Sequence, residues 1–240
     1  MTDQPPTRRE WFQFRLVTLL VAALVLSLPL SWFAVRMERA RRQREIVELL
    51  EGLGCYVSYD DTEKRPYGLD VLGRDFFWSV DGVTTVGSQI TDAHLEDIGK
   101  LEHLSFVVFS DSEIAGTGLE HLKRQTDLTE MYLDGTNVTD TELEYLKGLT
   151  NLELLTLHRT KVTDAGLEHL GGMTSLLLLF LEDTDISDAG LEHLTGLKSL
   201  CLLVLRRTNV TTEGVEKLQR ALPDCEINWR VNGQAGGTGS

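Results

Sequence analysis

Three histidines at one place of a repeated motif are the first residues of this chain that invite a chemical reading. His121, His169 and His193 each hold the fourth place of a G-L-E-H-L motif, and imidazoles ligate metals and carry protons. Asp183, Asp185 and Asp188 imitate the carboxylates of a calcium loop, but the glycine and distal glutamate that such a loop needs are absent at the required spacing. Asn137-Val138-Thr139 and Asn209-Val210-Thr211 match the glycosylation sequon. Cys55, Cys201 and Cys225 form an odd set with no disulfide framework. No nucleophile elbow, phosphate loop or metal-ligand pair accompanies them. The expectation is therefore no catalytic residue, no metal and no cofactor.

A fixed period explains most of these residues without chemistry. The stretch LELLTLHRTKVTDAGLEHLGGMTS from Leu152 is copied every 24 residues, from Leu128, Leu176 and Leu200, and more weakly from Leu104 and Val80. The histidines fall in one register with Tyr145 and Lys217, and both sequons come from the repeated T-N-V-T. Self-similarity at such a period marks a solenoid, in which each turn buries its apolar side against its neighbours.

Within one turn, Leu155 and Leu157 alternate with Leu154, Thr156 and His158, the period of a short strand with one buried face. Leu167, Leu170 and Met173 recur every three residues, which suits a helix or tight helical turn packed on the strands. Asp164, or Thr163 before it, is placed to cap that helix. Ser112, Thr136, Thr160, Thr184 and Thr208 share the register where the chain turns inward, and are expected to satisfy buried backbone groups between turns.

These motifs resemble the leucine-rich repeat superfamily, in particular the subtype with V/I-T-D-x-G-L known from cysteine-containing repeats and from bacterial membrane-anchored repeat proteins. Val138-Thr139-Asp140, Val162 to Leu167 and Ile186 to Leu191 carry the match, with threonine in place of that subtype's cysteine. The resemblance implies an α/β solenoid, a horseshoe with a parallel sheet on its concave face and helices on its convex face. It implies binding rather than a particular activity, since a shared fold does not determine function.

The rest of the chain brackets the repeats. Residues 1–15 form a short tail, and Leu16 to Val35 is a charge-free run of twenty residues, about the length that spans a bilayer core of roughly 30 Å. It reads as one transmembrane helix in preference to a core helix or a cleavable signal, because no small-x-small cleavage site follows it. Trp11, Phe12, Phe14, Trp32 and Phe33 lie at its ends as expected of interfacial anchors. Residues 36–79 are expected to supply a juxtamembrane helix and a cap, residues 80–223 six turns, residues 224–231 a closing strand, and residues 232–240 a disordered tail. The aromatic cluster of residues 69–78 belongs to that cap rather than to a cofactor box.

Charge is unevenly distributed. The net charge is −14, yet residues 1–44 hold eight arginines against three acidic residues. The remainder is strongly acidic, which opposes nucleic-acid binding, while the basic front end suits anionic lipid headgroups. Five arginines follow the span against three before it, so arginine counting favours a cytoplasmic repeat domain. The tail's own arginines support the opposite orientation. Cytoplasmic placement predicts free thiols, although Cys201 and Cys225 lie one turn apart, where adjacent strands bring them near disulfide range.

The strand residues that point away from the core remain to be assigned. Phe106, Val108, Tyr132, Leu154, Leu178, Phe180, Leu202 and Val204 would place apolar groups side by side on the concave face, flanked by Asp134, His158, Arg159, Glu182, Asp183, Arg206 and Arg207. An apolar stripe with a charged rim marks a partner-binding surface. The expectation is a membrane-anchored, non-enzymatic scaffold for a protein or peptide partner. The alternative is an extracytoplasmic ligand sensor using the same face.

Overall fold

The computed structural model describes residues 8–60, 72–85, 90–114 and 116–229, and within its first helix the side chains of residues 8–26, 28 and 29 fall outside the description. One eight-stranded sheet runs in chain order, β1 Cys55–Tyr59, β2 Val80–Thr85, β3 Phe106–Val108, β4 Glu130–Tyr132, β5 Leu154–Thr156, β6 Leu178–Phe180, β7 Leu202–Val204 and β8 Glu226–Asn228. Every neighbouring pair from β2 to β8 is parallel, and β1 folds back antiparallel on β2. From β3 onward the register advances by 24 residues per strand, as in Leu154 beside Leu178 beside Leu202.

Each turn returns along the opposite side of the core through a short helix. These are α3 Asp92–Ile98, α4 Asp140–Leu143, α5 Asp164–Leu167, α6 Asp188–His193 and α7 Thr212–Ala221, with 3-10 turns filling the equivalent place at Gly116–Leu122 and extending α4, α5 and α6. The long first helix, α1 Arg8–Gly52, and the four-residue α2 Arg74–Phe77 precede them. Met131, Leu155, Leu179 and Leu203 from the strands meet Leu143, Leu167 and Leu191 from the helices, all at most 2% exposed. Full burial of each such side chain favours the fold by about 1.5–3 kcal/mol.

Two expectations about local polar contacts are corrected or refined by the structure. Thr163 occupies the N-cap position of α5, but the Asp164 carboxylate does not cap its own helix. It reaches the next turn instead, accepting from the Ser187 amide at 2.7 Å and from the Ser187 hydroxyl at 2.5 Å. Asp140 holds Thr163 and Asp188 holds Thr211 in the same way. The buried hydroxyls of Thr136, Thr160, Thr184 and Thr208 each donate to a carbonyl three residues back in their own turn, not to a neighbouring turn. A side chain so short, placed just after a strand, reaches the nearest carbonyl in its own bend.

The glycine of D-x-G follows from the aspartate of the previous turn. A Cβ at Gly166 would stand 2.5 Å from the Asp140 carboxylate, and Gly118, Gly190 and Gly214 face Asp92, Asp164 and Asp188 in the same manner. A break in this register completes the logic. Gly116 occupies the aspartate register, and in the following turn Glu142 replaces the glycine. The Glu142 carboxylate then accepts from the Thr139 amide at 2.8 Å and hydroxyl at 2.6 Å, doing from within the turn what an aspartate does from the turn before.

At the front end, α1 docks on the cap. Ala40, Ile46, Val47 and Leu50 are buried, Phe33 packs on Phe76 at 5.4 Å between ring centroids, and Arg36 and Gln43 donate to the carbonyls of Phe76 and Trp78. The chain between Asp60 and Leu72, including Leu69 and Val71 of the expected aromatic cluster, lies outside the described residues, as does the tail from residue 230 onward. Among the described residues no helix is long and apolar enough to cross a membrane. The transmembrane helix expected over residues 16–35 is thus not found there, and most side chains of that run lie outside the described residues. The backbone of α1 is helical throughout that run.

The aspartate-glycine pairing yields a double-variant test. Gly166→Glu alone should destabilise by about 1–3 kcal/mol through overpacking, whereas Asp140→Gly with Gly166→Glu should recover at least half of that loss. Urea denaturation of the three chains measures it. Equal instability of the single and double variants would show that the two positions are not coupled.

Candidate functional site

Strand pairing arranges the outward side of the sheet as two parallel rows. The first runs Phe106, Glu130, Leu154, Leu178, Leu202 and Glu226, and the second Val108, Tyr132, Thr156, Phe180, Val204 and Asn228. Because β-strand side chains alternate between faces, the same strands that bury Met131, Leu155, Leu179 and Leu203 must present these residues on the other side. Leu154, Leu178, Leu202, Tyr132 and Phe180 are half-buried.

Two residues expected on this face are less available. Val204 is only 5% exposed although it lies outside the main core, so it forms floor rather than a contact point. Phe106 lies over Gly82, where a Cβ would collide with its ring, and so closes one end of the face against β2. Sequence alternation assigns a direction to each side chain but cannot report how its neighbours lean over it.

Thr156 was not singled out by the sequence reading. It stands between Tyr132 and Phe180 in the second row, is 7% exposed, and its hydroxyl is the one buried side-chain polar atom among the described residues without a hydrogen-bond partner. The signal was present in the alignment of turns, where one small polar residue interrupts an aromatic register. Tyr132 is tied down beside it, donating its hydroxyl to the Glu130 carboxylate at 2.9 Å. Burial and that carboxylate together push the Tyr132 phenol up to about 12.

The charged rim is largely neutralised from within. The backbone bends at Asp111, Gly135, Arg159, Asp183 and Arg207, all with φ between 53° and 67°, a left-handed conformation that costs a non-glycine residue about 1–2 kcal/mol. At Asp111, Gly135, Arg159 and Asp183 it is held because the amide continues the ladder, Arg159 donating to the Glu182 carbonyl and Asp183 to the Arg206 carbonyl. Arg159 reaches across the vacant side of Gly135 to Asp111 at 3.1 Å. Arg207 pairs with Asp183, His158 lies 3.4 Å from the same carboxylate, and Arg206 is shared between Asn228 and Glu182. The Arg207 guanidinium holds Asp183 below the usual carboxylate range. By contrast, Glu130, Glu153 and Glu226 have no ion-pair partner among the described residues.

Other candidate chemistry is dispersed. Among the described residues no group of three or more His, Cys, Asp or Glu is gathered as a metal site, and the G-L-E-H-L histidines remain one or two turns apart on the helical side. All three cysteines are free, Cys201 exposed and Cys55 and Cys225 buried. Burial raises the Cys225 thiol to about 11. A cleft of 810 Å³ lies between α1 and the first turns, lined by Arg39, Arg42, Lys100 and Glu102 among others, with Arg39 engaged by Glu102, Arg42 by Glu38 and Lys100 by Asp97.

No family model and no curated protein matches this chain. Among solved structures, an internalin (inlF) of Listeria monocytogenes superposes with a TM-score of 0.50 at 21% identity, over 62% of this chain and 39% of that one. The fold is a leucine-rich repeat fold. A leucine-rich repeat protein of Leptospira interrogans matches with a TM-score of 0.47 at 23% identity, over 55% of this chain and 33% of its own. Internalin C2 of Listeria monocytogenes matches with a TM-score of 0.45 at 20% identity, over 62% and 70%. This chain therefore spans well under half the length of the first two leucine-rich repeat proteins.

The tethering of Tyr132 is open to measurement. Ultraviolet difference titration should find one tyrosine ionising near 12, and Glu130→Gln should move it downward but leave it above the ordinary value near 10, since burial persists. An unmoved titration would mean that the carboxylate does not act on the phenol.

Proposed function

We propose that this chain is a membrane-anchored, non-enzymatic leucine-rich repeat scaffold that captures a protein or peptide on the concave side of its sheet. The observation that carries the reading is the half-buried row Leu154, Leu178 and Leu202 flanked by Tyr132 and Phe180. Completing the burial of each of these five side chains is worth about 1 kcal/mol, against association costs of about 4 kcal/mol or more. Apolar contact alone therefore gives a weak complex, and polar contacts must supply the rest.

Support for the anchor comes from the charge-free run of residues 16–35 and from its exit. Leu30 is 68% and Trp32 63% exposed, with Val35 and Met37 also uncovered by the rest of the chain. Lipid covers such a surface where water would not. The arginines after the span favour a cytoplasmic repeat domain, and the free thiols agree with a reducing compartment.

Two measurements test these readings. Replacing Tyr132 and Phe180 by alanine should lower partner affinity at least tenfold with an unchanged circular dichroism spectrum, and unaltered affinity would remove the site from this face. Cys201 offers the one exposed thiol, so a membrane-impermeant maleimide should label it only after cell lysis. Labelling in intact cells would instead support the extracytoplasmic sensor.

A further inference from the structure

Within that reading of the sheet, the polar groups of the outward face define what kind of chain it takes. We propose that the face binds an extended apolar segment flanked by basic residues, laid across the strands with its backbone hydrogen-bonded to the Thr156 hydroxyl. Three observations converge on this occupant.

The first is Thr156 itself. A buried hydroxyl without a partner destabilises the free protein, and valine would fill the same volume without that cost. Its neighbours Tyr132 and Phe180 flank it in the same row, and its hydroxyl is enclosed in the free protein, so this dip in side-chain size between two rings opens only when the rings move. A main-chain amide or carbonyl passing over that dip, with the rings moved aside, supplies the missing bond. A partner's side chain is not needed for it.

The second is the order of charges in the neighbouring row, where Leu154, Leu178 and Leu202 are bounded by Glu130 on one end and Glu226 on the other. Four strand spacings of about 4.8 Å separate the two carboxylates by roughly 19 Å, the reach of about six residues of extended chain. A segment with apolar residues at its centre and lysine or arginine near both ends meets leucines and carboxylates in the matching order.

The third is the contrast between the two borders of the face. On the border after the strands, Asp111, Asp183 and Glu182 already face Arg159, Arg207 and Arg206. On the border before them, Glu153 stands exposed and unpaired beside the row that Glu130 and Glu226 close. Uncompensated charge of one sign next to an apolar row selects partners of the opposite sign and speeds their approach.

The test uses the full chain in neutral detergent micelles, panned against a displayed library of random peptides. Selected peptides should carry an apolar centre with lysine or arginine flanks. Thr156→Val should weaken their binding about three- to tenfold while leaving the urea midpoint unchanged or raising it, a combination that a merely structural threonine would not show. Glu130→Gln with Glu226→Gln should weaken binding about two- to fivefold and flatten its salt dependence. Selected peptides with acidic or uncharged flanks, an absence of selection, or peptides indifferent to Thr156→Val would each overturn the proposal. If the peptides also ignore Tyr132→Ala and Phe180→Ala, the reading of this face as the binding surface fails with it. If they respond to those two and not to the threonine and glutamate changes, only the present inference falls.

Discussion

The structure depends on one contact repeated between successive turns, a carboxylate of one turn accepting from the amide and hydroxyl of the residue that opens the next turn's helix. Short helices of four to six residues are not stable on their own, because a single hydrogen-bonded turn does not offset the cost of nucleation. Here the amide of the residue that precedes the helix, Thr163 before α5 and Ser187 before α6, is satisfied by a charge brought from the neighbouring turn, as is Thr211 before the longer α7, and the helix start is positioned by that bond. The bond also sets the distance between turns. A glycine must stand opposite each aspartate to admit it, and where that aspartate is missing the glutamate of the turn itself takes over. Strand pairing on one side of the core and this carboxylate link on the other hold the same 24-residue step.

That step is what creates the outward face. Because each strand is only three residues long and its register never shifts from β3 to β8, residues far apart in sequence are brought to about 4.8 Å spacing in straight rows. The rim then acquires its charge pairs through the left-handed bend that follows every strand. Where that bend is a glycine, at Gly135, an arginine and an aspartate two turns apart can meet. The arginines that looked available from composition are thus engaged, and the charge left over on the face is negative.

At the front of the solenoid the cap answers a different constraint. The first strand would expose a row of unpaired backbone groups, and edge strands left open invite association. The hairpin of β1 with β2 moves that edge outward, and the second half of α1 covers the core behind it with Ile46, Val47 and Leu50. The arginines just past the apolar run are partly spent on this docking, Arg36 on cap carbonyls and Arg44 on Asp75. The helix that leads toward the proposed membrane is thereby coupled to the first turn of the repeats.

The amino-acid sequence alone determined the period, the strand and helix alternation, and the identity of the inward residues, because burial on one face writes a pattern of two and three to four into any chain that folds this way. It also located the V-T-D-x-G segment, while misassigning the aspartate, since a contact between turns has no local signature distinct from a helix cap. Only the tertiary structure decided which rim arginines were already paired, that Val204 was covered, and that Thr156 was left between two rings without a partner. Those outcomes depend on distances between residues one or two turns apart, and packing, not propensity, sets them.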